Sequence, residues 1–232
     1  MSDQPHVDVE LGAVDFNIVY EGGELLPGLI TGGVPWDIED VQPGVVEFER
    51  RKRFRGEILD AGCGLADNAA YLAALGHKVA AFDGSSTAIK LAKERHAGTP
   101  IELFVADATK LTGYDGRFDT VLDSALFQVL DPRGQQLYLE ALHRSTTPGA
   151  WLNILAFAAV PGGMPAPMAI PEDTLRATIA AGGWEITSME MGTFSGVEAS
   201  MAVFLERFGV TPNADGKGQI HVPTWLIEAQ RV

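Results

Sequence analysis

Residues 58–67, Ile-Leu-Asp-Ala-Gly-Cys-Gly-Leu-Ala-Asp, constrain this chain more than any other stretch. A short apolar run closes on Asp60, Gly62 and Gly64 follow at once, and a helix-like segment begins at Asp67. A strand, a tight glycine turn and a helix N-terminus, in that order, form the corner at which doubly wound α/β folds hold nucleotide-like cofactors. Gly62 and Gly64 let the backbone turn sharply and meet a ligand with no Cβ in between. A lone GxG is more often a plain join between strand and helix, so the downstream spacing has to decide.

Three further apolar runs follow, and each ends in acid: Val79–Phe82 before Asp83, Ile101–Val105 before Asp107, and Phe118–Leu122 before Asp123. Segments of helical character separate them. In a parallel sheet the strand C-termini share one edge, and the ligand crevice lies there. One carboxylate at a strand end is ordinary; four on the same edge point to a site.

Composition narrows the partners. At 232 residues, 46% apolar and 21% charged, the chain suits one α/β domain with a modest cap. Its formal charge is 17 − 31 = −14, which repels phosphate backbones and anionic lipid surfaces. That argues against nucleic acid or membrane as partner. The basic run Arg50–Arg53 with Arg55 reads as a solvated helix face. Cys63 is the single cysteine, so no internal disulfide forms and no metal cluster is suggested. Within the glycine turn it reads as a small residue rather than a nucleophile. With no leader-like start and no long apolar run, the expected location is the cytoplasm.

The words ILDAGCG, AFDGSS, VADA and FDTVLDS, followed by the TPGAWLNILAF strand, resemble class I S-adenosylmethionine (SAM) dependent methyltransferases across residues 34–194. A narrower likeness lies in Val34-Pro35-Trp36-Asp37-Ile38 with Gln42-Pro43, and in Asp123–Phe127. These resemble small-molecule enzymes related to the thiopurine methyltransferases and the actinobacterial heterocyclic-toxin (quinolone-type) methyltransferases. The resemblance implies a Rossmann-like, doubly wound α/β fold: a seven-stranded, mostly parallel sheet with helices on both faces, an antiparallel last strand and an N-terminal lid segment. It implies SAM as cofactor, S-adenosylhomocysteine (SAH) as product, no metal, and a small aromatic or heterocyclic acceptor methylated on O, N or S by in-line displacement.

The expected organisation is a flexible stretch over 1–12 and a single domain over 13–232. Within it lie a lid and helix (13–55), a cofactor-binding half (56–160) and a C-terminal half (161–232) with an insertion near 197–218. The insertion either covers the substrate pocket or mediates association. Residues 14–36 read as a short helix and a loop, and Pro43 opens a helix to Phe54. Ser85 caps the next helix, Gly134–Arg144 is stopped by Pro148-Gly149, residues 160–167 form a loop, and Trp184–Phe194 and Ile220–Glu228 are strands.

The resemblance gives Asp83 the ribose hydroxyls, with Gly84 and Ser85 beside it, and gives Asp107 and Ala108 the adenine. Asp60, Gly62, Cys63, Gly64, Asp67 and Asn68 surround the glycine turn, although Asp67 equally suits the helix dipole. Asp123 and Ser124 stand where the methyl group is delivered. Trp36 offers an aromatic face to a sulfonium, an attraction of roughly 0.5–2 kcal/mol. Phe16, Tyr20, Trp36, Phe127, Gln128 and Phe157 are candidates for the wall of the acceptor pocket.

Two departures matter. Ala66 stands at the third position of the usual GxGxG, and Gln128 stands where related enzymes often carry histidine. Glutamine cannot take a proton near neutral pH but can orient a substrate by hydrogen bonds. Among the histidines only His221 is a candidate base, so no general base is assigned beyond the pair Gln128 and His221. A SAM-binding protein without turnover, and an NAD-dependent oxidoreductase, are the alternatives. The second lacks the GxGxxG spacing. Acceptor atom, natural acceptor and oligomeric state are left open by these residues.

Overall fold

The computed structural model of the protein describes residues 14–211 and 213–232, so the flexibility expected of 1–12 lies outside the described residues. The lid begins with a short helix α1 (Phe16–Tyr20), capped by the Asp15 side chain. A small antiparallel pair follows, β1 (Glu24–Leu26) and β2 (Leu29–Ile30), where the sequence suggested only loop. Helix α2 (Pro43–Arg50) starts on proline as expected but stops four residues before Phe54.

The main sheet then builds up as β3 (Glu57–Ala61), α3 (Asp67–Ala74), β4 (Lys78–Asp83), α4 (Ser86–Arg95), β5 (Ile101–Val105) and β6 (Phe118–Ser124). A 3-10 turn (Phe127–Val129), α5 (Pro132–Ser145), β7 (Thr146–Phe157), α6 (Glu172–Ala181), β8 (Trp184–Val197), α7 (Glu198–Arg207) and β9 (Gln219–Arg231) complete it. The strand order is β5-β4-β3-β6-β7-β9-β8. Only β9 runs against its neighbours, β7 and β8. Helix α5 ends at Ser145, three residues before Pro148, and β7 already includes Pro148 and Gly149; the strand shifts register there between its pairings with Phe118 and Thr120.

Alternation along the strands explains the layers. In β3, Leu59 joins one buried cluster with Leu139, Leu142 and Ile179 of α5 and α6, while Ile58 joins another with Val45, Phe48, Leu72 and Ile89 of α2, α3 and α4. Helices therefore cover both faces. Strand order reverses between β3 and β6, where Asp60 faces Leu122 and Ala61 faces Asp123 in register. A crevice at such a reversal is where open α/β sheets bind ligands.

The basic run is a solvated face only in part: Arg50, Lys52 and Arg55 are exposed, while Arg51 and Arg53 turn inward. Arg51 and Arg53 both pair with the buried carboxylate of Glu228, at 3.2 and 2.5 Å, and the Arg53 and Arg55 guanidinium groups lie 5.0 and 4.9 Å from the centre of the Trp151 ring. A carboxylate inside a sheet needs such partners, and two arginines supply them.

Candidate active site

Gly62 and Gly64 adopt φ of 69° and 55°, the left-handed region that glycine enters without penalty. A Cβ at Gly62 would stand 2.8 Å from Leu126 Cβ, and one at Gly64 2.8 Å from the Tyr20 hydroxyl. Both are therefore required by space as well as by conformation. Ala66, the departure from the expected glycine, also sits at positive φ (66°), at a cost of about 1–2 kcal/mol. Asp83 holds the turn: its two carboxylate oxygens accept from Gly64 N (2.9 Å) and Ser85 N (2.8 Å). Burial raises its pKa while those amides oppose the rise. Ser85 caps α4 by accepting from Ala88 N, as the sequence suggested.

The lid closes over this turn through polar contacts that link distant segments. Asn17 Oδ1 accepts from Ser85 Oγ (2.9 Å) and Thr87 N (3.2 Å). Trp36 Nε1 donates to Tyr20 OH at 3.0 Å, with Phe16 edge-on to the same indole. Asp37 takes a two-pronged bond from Arg95 (2.7 and 2.8 Å), and Arg95 also reaches Asp67 (2.8 Å). Gln42 is paired by both amide atoms to the backbone of Ser195 (2.9 Å each), and its own N–H donates to Asn68 Oδ1. None of Asn17, Gln42 or Arg95 was singled out by position in the sequence; only the Gln42-Pro43 word carried a trace.

Together these elements enclose a cavity of about 740 Å³. Its walls include Phe16, Tyr20, Trp36, Gly62, Cys63, Gly64, Asp67, Asn68, Asp83, Gly84, Ser85, Asp107, Ala108, Ser124, Gln128 and Phe157, all expected at the site. A second set was not expected: Leu25, Leu26, Met164, Met168, Phe194, Met201 and Phe204. With Phe157, all but Leu25 belong to one buried apolar cluster, against which Leu25, Trp36 and Ala125 pack. Met164 comes from the 160–167 loop and Met168 follows it. Met201 and Phe204 come from α7, within 197–218, so that segment contributes to the cavity wall.

Four expected residues do not reach the cavity wall. Asp60 lies wholly buried beneath the turn; its oxygens make no hydrogen bond of full geometry, and burial with Asp123 and Asp83 nearby pushes its pKa up to about 8, eased only by the Ala69 amide. Asp123 is likewise buried and pushed up to about 7, accepting from Leu126 N, Phe127 N and Tyr138 OH. Both carboxyls support the fold under the site. Phe127 packs into the core against Tyr138. His221, on β9, pairs with Ser195 Oγ at 3.1 Å and is absent from the cavity, so it is not placed as a base.

Asp107 does line the cavity, but its carboxylate already accepts from Thr109 N and Oγ1 and pairs with Lys110, contacts that hold its pKa below the usual value. Cys63 is buried and its thiol pKa is raised well above the ordinary value, with Asp60 and Asp83 adding to the effect. A protonated thiol suits a spacer better than a nucleophile.

The matches to known proteins concentrate on this architecture. A methyltransferase-domain family matches residues 58–149. The 2-heptyl-1-hydroxyquinolin-4(1H)-one methyltransferase of Mycobacteroides abscessus is 32% identical over 211 residues, covering 88% of this chain and 92% of that protein. The chain belongs to the SAM-dependent methyltransferases. A structure solved in work on conversion of a disulfide bond into a thioacetal group during echinomycin biosynthesis is 31% identical, with a TM-score of 0.77 over 93% of this chain and 90% of that one. The Burkholderia thailandensis 1,6-didemethyltoxoflavin-N1-methyltransferase, solved with SAH, shares the fold at 19% identity and TM-score 0.57, over 82% of this chain and 77% of that one. Among the described residues of this methyltransferase, no group of three or more His, Cys, Asp or Glu is arranged to hold a metal ion, and no helix is long and apolar enough to cross a membrane.

Proposed function

We propose that this methyltransferase holds SAM against the glycine turn and methylates a flat heterocyclic acceptor seated in the Met/Phe-lined end of the same cavity. The observation that carries the reading is the division of one cavity into a glycine-and-carboxylate end and an apolar end, with Trp36 and Ala125 packed against the latter. The glycine turn at the strand end, with the Asp83 carboxylate beside it, suits the cofactor's close backbone approach and ribose. We assign Gly62, Gly64, Asp83, Gly84, Ser85, Asp107 and Ala108 to the nucleoside. Cys63, Asp67, Asn68, Ser124 and Trp36 go to the amino-acid and sulfonium end.

SAM supplies a methyl group already activated for in-line displacement by oxygen, nitrogen or sulfur. The residues then have to align the acceptor and exclude water. Phe157, Phe194, Met164, Met168, Met201 and Phe204 offer a deformable apolar wall for a planar ring and an alkyl substituent. The hydroxyquinolone named for the M. abscessus relative is a molecule of that kind. Among the described residues that wall has neither a histidine nor a carboxylate, which favours an acceptor acidic enough to ionise by itself. Acting on a soluble acceptor, the enzyme belongs in the cytoplasm and works as one domain, 13–232.

The test is incubation with methyl-labelled SAM and a panel of hydroxylated and thiol-bearing heterocycles, beside calorimetric titration with SAH and NADH. The reading expects SAH binding, no NADH binding, and label on at least one acceptor. SAH binding with no transfer to any acceptor would leave a binding protein; NADH binding alone would contradict the assignment.

A further inference from the structure

The polar side chains that line the cavity are nearly all occupied. Asp37 and Asp67 share Arg95, Gln42 is spent on Ser195, Asn68 on Gln42, Asn17 on α4, and Asp83 on the glycine turn. Gln128 is different. It is only 4% exposed, it lines the cavity, and neither its Oε1 nor its Nε2 has a hydrogen-bond partner. Among the described residues, the other buried side-chain polar atoms without a hydrogen bond belong to Asp60, His96, Trp151, Asn153 and Trp225, none of them in the cavity wall, and His96 lies 3.3 Å from the Asp67 carboxylate.

The position is not slack. The 3-10 turn that carries Gln128 is fixed from behind by Gln135 Nε2, which donates to the carbonyls of Phe127 (3.3 Å) and Leu130 (3.0 Å), and by Asp123 beneath Leu126 and Phe127. A buried amide with both ends unmade is costly, and the cost disappears when a ligand supplies the partners. A primary amide offers N–H donors and a carbonyl acceptor with no charge. Its complement is a neutral rim bearing a carbonyl and an N–H or O–H.

We infer that Gln128 sets acceptor specificity, orienting a carbonyl-bearing heterocycle within an apolar end that fixes shape but not rotation. The inference rests on the methyl-transfer reading above, and it discriminates within that class: carbonyl-bearing heterocycles over carbocyclic phenols of similar size.

The experiment compares wild type with Gln128→Leu and the near-isosteric Gln128→Met. It measures kcat and KM on 1-hydroxyquinolin-4(1H)-one and on 2-naphthol, SAH affinity by calorimetry, and Tm. Wild type should prefer the quinolone. In both variants kcat/KM for the quinolone should fall about 10- to 100-fold, mainly through KM, as expected for loss of a buried hydrogen-bond pair. Rates on 2-naphthol should fall several-fold less than those on the quinolone, SAH affinity should stay within about 2-fold of wild type, and Tm should not drop, since an unpaired buried amide has been removed. Equal loss on both acceptors, weakened SAH binding, or no change at all would overturn the assignment. So would a wild type that binds SAH yet prefers 2-naphthol or methylates neither. A wild type that binds no SAH sinks the methyl-transfer reading itself.

Discussion

The two ends of the cavity are built by different means. At the glycine end the wall is largely backbone: two turn glycines, the Ser85 cap and a carboxylate pinned by amides, all within consecutive strand-to-helix joins. At the apolar end the wall is made of Leu, Met and Phe residues gathered from the lid, the ends of β7 and β8, the 160s loop and α7. A backbone wall tolerates almost no change of residue. A wall of methionine and phenylalanine tolerates exchange of shape, which suits a conserved-size cofactor on one side and a variable acceptor on the other.

This contrast is easiest to break at Gly62. Gly62→Val forces a branched side chain into a left-handed φ against Leu126, and SAH affinity measured by calorimetry should drop by more than about 100-fold, roughly 3 kcal/mol. Asp83→Ala follows. It removes the acceptor for the Gly64 and Ser85 amides and, in the proposed arrangement, for the ribose, and should weaken SAH by about 1.5–3 kcal/mol in the same assay. Unchanged affinity in a folded protein would remove the ribose from Asp83.

At the other end, Met201→Trp fills the apolar wall from α7. KM for the acceptor should rise about 10-fold while SAH affinity holds, in line with the 1–3 kcal/mol typical of overpacking. Parallel loss of SAH affinity would mean that the ends are not separable.

The smallest effect comes from the carboxyls under the site. Asp60 and Asp123 have folded pKa values near 8 and 7 against an ordinary 3.8, so the folded state keeps protons that the unfolded chain releases. Their favourable contribution is complete below about pH 4 and is lost as pH rises toward about 8. The lowered carboxyls of Glu47 and Glu57 act in the opposite sense, but only in the acid range. Between about pH 5.5 and 8.5, Tm should therefore fall steadily, and Asp60→Asn should flatten that slope. A Tm that rises with pH over the same interval would contradict the burial of these groups as charged-state liabilities.

The sequence was most readable where chemistry is local. Glycine spacing, the acid after each strand and the Ser85 cap lie within a few residues of what they organise, so the parallel half of the sheet reads off almost directly, and twelve of the fourteen cofactor-side candidates from Trp36 to Ser124 line the cavity, all but Asp60 and Asp123. Those two failed because strand-end position does not say which way a side chain points: they face inward beneath the turn. Phe127 failed for the same reason, one residue before Gln128, which does face the cavity.

Long-range pairings were illegible. Arg95 with Asp37, Gln42 with Ser195, and Arg51 and Arg53 with Glu228 join residues far apart in the chain, and no periodicity announces them. The Met/Phe wall was hidden for a related reason. Met164 and Met168 sit in and after a loop, and the Met201/Phe204 spacing in α7 signals only a buried helix face, not what it covers.

The central claim, that donor and acceptor occupy separately built ends of one cavity, is tested most directly by titrating SAH into Gly62→Val and Met201→Trp side by side. The account predicts affinity lost in the first and kept in the second. Affinity kept in Gly62→Val, or lost in Met201→Trp, would contradict it.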